Sequence, residues 1–100
     1  MLIKSAFNSL FLLKLRKFFI LTALSENSLI NKTLLLVEDD QLTYLFIKQV
    51  LLKTGVNVLR ANTGKEAVKL AENNKQLDCI LVDIQLPDMS GFDVIKQVGS

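Results

Sequence analysis

Three carboxylates follow short apolar runs in this 100-residue chain: Glu38 and Asp39 after Thr33–Val37, and Asp83 after Cys79-Ile80-Leu81-Val82. Apolar runs of that length bounded by polar residues read as buried strands. If the two strands are neighbours, three acids meet at their carboxyl ends, where open α/β sheets hold their ligands. Like charges that close raise one another's pKa, and a divalent cation relieves the repulsion. Oxygen ligands with open positions suit Mg²⁺, which keeps several waters and takes one or two carboxylates plus phosphate oxygens. A competing reading makes the acids caps of the helices that follow. Asp40 fits that reading, since a helix begins directly after it. Asp83 does not, because the next helix starts some eight residues on.

Other chemistries are excluded by what the chain lacks. It has no histidine and one cysteine, Cys79, so a zinc site, a His-activated nucleophile and an internal disulfide all drop out. Catalysis would have to run on carboxylates, hydroxyls, lysines or a hard metal. Cys79 lies inside an apolar run and reads as a core residue. The lone thiol fits a reducing compartment.

The elements that must position the acids are legible from residue 33 onward. Residues 41–54 lack Pro and Gly and read as a helix, with Asp40 as N-cap and Gly55 as its stop. A second strand spans 56–61. A second helix spans 63–74, with Ala67, Val68 and Ala71 on its apolar side and Glu66 spaced to pair with Lys69. The third strand lies within 78–83, a loop with the only proline, Pro87, spans 85–90, and Gly91–Val98 begins a third helix. The β-α-β-α-β-α order with short connections and apolar strands predicts a doubly wound α/β fold with a parallel sheet.

Residues 1–31 are different. Residues 1–24 are strongly apolar, and residues 1–32 carry five basic residues against Glu26 alone, while the remainder carries seven basic and nine acidic ones. Lys14, Arg16 and Lys17 interrupt the apolar stretch, which argues against a spanning helix. The charges spread around a helical projection, so a clean interfacial helix is not supported either. The apolarity of residues 1–24 leaves membrane contact open as a lesser alternative. Residues 25–32 read as a polar linker. The basic residues are too few and too scattered for a nucleic-acid surface.

Three motifs, in order and on the right elements, carry a family resemblance. Val37-Glu38-Asp39-Asp40 resembles the acidic end of the first strand in response-regulator receiver domains. Gly55-x-x-Val58-x-x-Ala61-x-x-Gly64-x-Glu66-Ala67-Val68 is similar to that family's second strand and helix. Asp83-Ile84-Gln85-Leu86-Pro87-Asp88-Met89-Ser90-Gly91 matches its pattern of acceptor Asp, Pro four residues on and Gly eight residues on. The resemblance covers about residues 32–98, the first three βα units of a five-unit flavodoxin-like fold, so an extension over 1–31 and a partial receiver domain over 32–100 are expected.

The resemblance implies that Asp83 takes a phosphoryl group from a histidine kinase or phosphotransfer protein in the cytoplasm. Asp39 would coordinate Mg²⁺ directly and Glu38 through water, with Asp83 and the Gln85 backbone carbonyl as further ligands. The family's hydroxyl residue and lysine on its fourth and fifth strands have no counterpart in these 100 residues. That leaves a rival reading, a truncated non-catalytic remnant acting at most as an interaction fragment. It also predicts an exposed apolar edge on the third strand, an aggregation hazard, or an apolar N-terminal segment packed where the family's last helix would lie. A phosphatase of the haloacid type would want a second Asp at the position of Gln85.

Overall fold

The computed structural model describes residues 2–5, 10–12 and 26–99, the first two segments by their backbone only. The strands are β1 (Leu2–Ser5), β2 (Leu10–Leu12), β3 (Thr33–Val37), β4 (Asn57–Ala61) and β5 (Cys79–Val82). The helices are α1 (Gln41–Leu51), continued by a 3₁₀ turn over Leu52–Thr54, α2 (Gly64–Asn73) and α3 (Gly91–Val98). One sheet has the order β2-β1-β5-β3-β4. Its β5, β3 and β4 are mutually parallel, as the βαβ order requires.

Strand β3 is central, and its alternating side chains build a core on each face. Leu35 and Val37 join Ala61, Ile80, Val82, Val94 and Ile95 beneath α2 and α3. Leu34 and Leu36 join Ile47, Leu51 and Leu81 beneath α1. Both faces of β3 and β5 are therefore covered, which is why these two strands are almost wholly apolar, whereas the edge strand β4 carries Asn57 and Arg60. Leu35, Leu36, Ile47, Leu51 and Leu81 are fully buried, each worth about 1.5–3 kcal/mol of transfer free energy.

The ends of the helices follow local rules. Asp40 Oδ2 accepts the Thr43 N–H at 2.8 Å and so caps α1. Thr63 Oγ1 accepts the Glu66 N–H at 3.1 Å and caps α2. Glu66 turns back to accept the N–H of Asn62, the residue before the cap, at 3.4 Å. Gly55 ends the α1 segment at φ 77°, a left-handed conformation that favours glycine. Asn27 and Asn31 adopt left-handed conformations at φ 56° and 63°. They turn the polar linker back onto the α1 terminus, where the Asn27 N–H donates to Lys53 O and the Leu29 N–H to Thr54 O.

The edge of β5 departs from the sequence expectation. Strand β1 pairs with it antiparallel, with Leu2 opposite Val82 and Ser5 opposite Cys79, and β2 pairs antiparallel with β1 in turn. Residues 2–5 and 10–12 of the N-terminal extension thus continue the sheet instead of packing where a last helix would lie. The physical reason is that the β5 backbone presents a row of N–H and C=O groups, and a strand satisfies them where a side chain does not. The rest of residues 1–25 lies outside the described residues.

Cys79 packs on the α1 side of the sheet. Burial, helped by the neighbouring Asp78 charge, pushes its thiol up to about 11. Alkylation of the folded chain near neutral pH is therefore expected to run about a hundredfold slower than in denaturant. Equal rates in the two conditions would mean that the thiol is not held in the sheet.

Candidate acid pocket

The register of the parallel strands brings the acids together. Val37 of β3 lies level with Val82 of β5 and Ala61 of β4. The ladder runs one step further, with the Glu38 N–H donating to Ala61 O at 3.0 Å and the Asp83 N–H donating to Val37 O at 3.2 Å. Glu38 and Asp83 are thereby fixed by backbone at the same level of adjacent strands. Carboxylate oxygens of Glu38, Asp39 and Asp83 all lie within 4.8 Å of one another. Glu38 is buried, Asp83 is half-buried and Asp39 is exposed, so the pocket grades from protein interior to solvent.

Asp40, next in sequence, is turned away to its capping role. Its carboxylate accepts both the Thr43 hydroxyl, at 2.6 Å, and the Thr43 N–H. Those bonds, and then the positive charge of Arg60, hold its pKa below the usual carboxylate value. The Asp40 N–H points back to Glu38 Oε2 at 3.4 Å.

Asp83 begins a tightly folded loop. Its Oδ1 accepts the Gln85 N–H at 3.3 Å. Gln85 and Ser90 form an antiparallel bridge across the loop, the Leu86 N–H donates to Met89 O, and the Gly91 N–H donates to Ile84 O at 2.7 Å. Ser90 then caps α3 by accepting the Asp93 N–H at 3.1 Å. This explains why Asp83 is free of any capping duty. Gly91 has no unusual φ; it is there for close approach. A Cβ at that position would collide with the Asp83 carbonyl oxygen and lie 3.0 Å from the Asp83 carbonyl carbon. Of the two uses the sequence allowed for this glycine, space is the one that applies.

Two participants had no signal in the sequence. Arg60, on the outer strand β4, reaches to the start of α1. Its guanidinium lies 4.1 Å from the centre of the Tyr44 ring, donates to the Gln41 side-chain oxygen and approaches Glu38 O at 3.4 Å. It brings a positive charge to the rim of the acid pocket. Asp88, at the tip of the loop that follows Asp83, accepts the Gly64 N–H at 2.8 Å and the Lys65 N–H at 2.9 Å. Neither pairing follows a sequence spacing, because each joins elements about 20 residues apart.

The donor set fits a hard divalent cation. It consists of oxygens alone, and Mg²⁺ holds its ligands at about 2.0–2.1 Å, so oxygens that share it lie within about 4 Å of one another. The 4.8 Å envelope needs only a small side-chain adjustment to meet that. The site also has parts that suit phosphoryl chemistry: a half-buried carboxylate at a strand end, two further carboxylates beside it, and a glycine-relieved loop behind it.

Residues 34–100 match the response regulator receiver domain family. Over 66 residues the chain is 44% identical to a cyclic di-GMP phosphodiesterase of Thermotoga maritima, covering 66% of this chain and 17% of that protein. It is 42% identical over 64 residues to the aerobic respiration control sensor protein ArcB of Escherichia coli, covering 64% of this chain and 8% of that one. It is 37% identical over 65 residues to the polar-differentiation response regulator DivK of Brucella anthropi, covering 65% and 52%. The chain thus spans between 8% and 52% of the length of these relatives. No helix among the described residues is long and apolar enough to cross a membrane. With its three parallel βα units, its acids at adjacent strand ends and this match over two thirds of its length, the chain belongs to the response-regulator receiver family of two-component signalling.

Proposed function

We propose that residues 32–100 form a phosphoacceptor receiver module in which Asp83 accepts a phosphoryl group from the phosphohistidine of a histidine kinase or phosphotransfer protein. The observation that carries this reading is the meeting of the Glu38, Asp39 and Asp83 oxygens at the carboxyl ends of two adjacent parallel strands. An Asp83 carboxylate oxygen attacks phosphorus in line with the nitrogen it replaces. The new P–O bond forms as the P–N bond breaks, and the electron pair leaves with the imidazole nitrogen, giving an aspartyl phosphate. Asp39, Glu38 and Asp83, with the Gln85 backbone carbonyl, would hold Mg²⁺. When bound, it supplies positive charge to the oxygens of the transferred group.

The protein's own contribution is positional. Backbone bonds from Asp83 to Val37 and from Gly91 to Ile84 hold the acceptor against the sheet, so little reorganisation precedes transfer. We assign the chain to the cytoplasm, where such a donor and a reduced lone thiol coexist. The test is labelling of the whole chain by a small phosphodonor with and without Mg²⁺. Mg²⁺-dependent incorporation of one phosphoryl group per chain is expected. A chain that takes up none under either condition would favour a non-catalytic interaction fragment.

A further inference from the structure

The N-terminal end of α2 is satisfied in an unusual way. A helix leaves its first N–H groups without partners, and the residues just before it normally provide the acceptors. Thr63 does this for Glu66 alone. The Gly64 and Lys65 N–H groups are instead both taken by one carboxylate, that of Asp88, at 2.8 and 2.9 Å. Asp88 sits at the tip of the acceptor loop, three residues after Gln85 and five after Asp83. Those two bonds draw its pKa below the usual carboxylate value, and a negative charge at a helix N-terminus is favourable.

The tip also packs tightly on the helix. A Cβ on Gly64 would run into Met89 Cγ and lie 2.7 Å from Met89 Sδ. The Leu86 N–H to Met89 O bond and the Gln85–Ser90 bridge transmit the position of the tip to the base of the loop.

We propose that Asp88 is a positioning residue: by latching the tip of the acceptor loop to the first turn of α2, it holds Gln85 and Asp83 where the acid pocket binds its cation. This inference rests on the functional reading given above. A carboxylate suits the task because its two oxygens take two parallel N–H groups at once. An amide can take only one, and turns its own NH₂ toward the other. Groups that orient metal ligands typically contribute to affinity although they never touch the metal.

The test compares Asp88→Ala with Thr63→Ala, followed by Mg²⁺ titration of the full chain by calorimetry and by thermal melting. Both substitutions remove a cap from the same end of α2, but only the first releases the loop. Mg²⁺ affinity is expected to fall about tenfold in Asp88→Ala and to stay near the wild-type value in Thr63→Ala at a similar loss of melting temperature. Asp88→Asn, which keeps one of the two bonds, should fall between wild type and Asp88→Ala, and it serves as the folded variant if Asp88→Ala does not fold. Equal weakening in the Ala variants at both positions would reduce Asp88 to an ordinary cap and overturn the proposal. So would wild-type affinity in the Asp88 variants, with the functional reading left intact. A wild-type chain that binds no Mg²⁺ would remove that reading and this inference together.

Discussion

Asp83→Asn is expected to abolish Mg²⁺-dependent labelling, a fall of at least about a hundredfold. The amide is close to isosteric with the carboxylate but has neither its charge nor its nucleophilic oxygen. The local structure should survive, because the Asn side-chain oxygen can still accept the Gln85 N–H that Asp83 Oδ1 accepts at 3.3 Å. Without metal, removing one of three acids whose oxygens lie within 4.8 Å relieves repulsion. The melting temperature in the absence of Mg²⁺ should therefore hold steady or rise. That pairing of lost labelling with undiminished stability separates a chemical role from a structural one. A variant that labels as well as wild type would mean that another residue is the acceptor.

The second large effect concerns stability as well as chemistry. Gly91→Ala puts a Cβ against the Asp83 carbonyl group and 3.1 Å from Ile84 Cα. All of these are backbone atoms at the end of a buried strand, so nothing nearby can swing aside. Either α3 moves off the sheet or the Asp83 segment shifts. A cost of about 1–3 kcal/mol is expected, in the range of overpacked sites, together with a loss of labelling because the displaced atoms belong to Asp83 itself. Gly64→Ala is the informative contrast. Its Cβ would meet the Met89 side chain, whose flexible thioether can repack, so the penalty should be smaller. Chemical denaturation of both variants beside wild type checks this, and a Gly91→Ala chain as stable and as readily labelled as wild type would show that the close approach carries no consequence.

Much of the site could be read before the fold was known, because its logic is local. Apolar runs ending in acids specify buried strands with carboxylates at their carboxyl ends. Asp40 declares itself as a cap by its place before a helix, and its bonds to Thr43 bear this out. The helix over 41–54 ends as expected at Gly55, with its last turn tightened to 3₁₀. The pocket then follows from parallel register, which sets Val37 beside Val82 and so Glu38 beside Asp83.

What the sequence determined by itself is therefore the set of elements, their order, and the acids that their ends present. Those properties depend on periodicity and on neighbours a few residues away. Tertiary structure alone decided the pairings between distant segments. The Asp88 latch onto Gly64 and Lys65 joins residues more than 20 apart, and Arg60 reaches α1 only because β4 runs beside β3. Strand β1 on the edge of β5 joins opposite ends of the chain, where Leu2 meets Val82. A four-residue segment such as Leu2–Ser5, with two apolar residues followed by Lys4 and Ser5, is ambiguous between a strand and part of a helix. It becomes a strand because an unpaired β5 edge must have its N–H and C=O groups satisfied, and the need of that edge is not written in the residues that meet it.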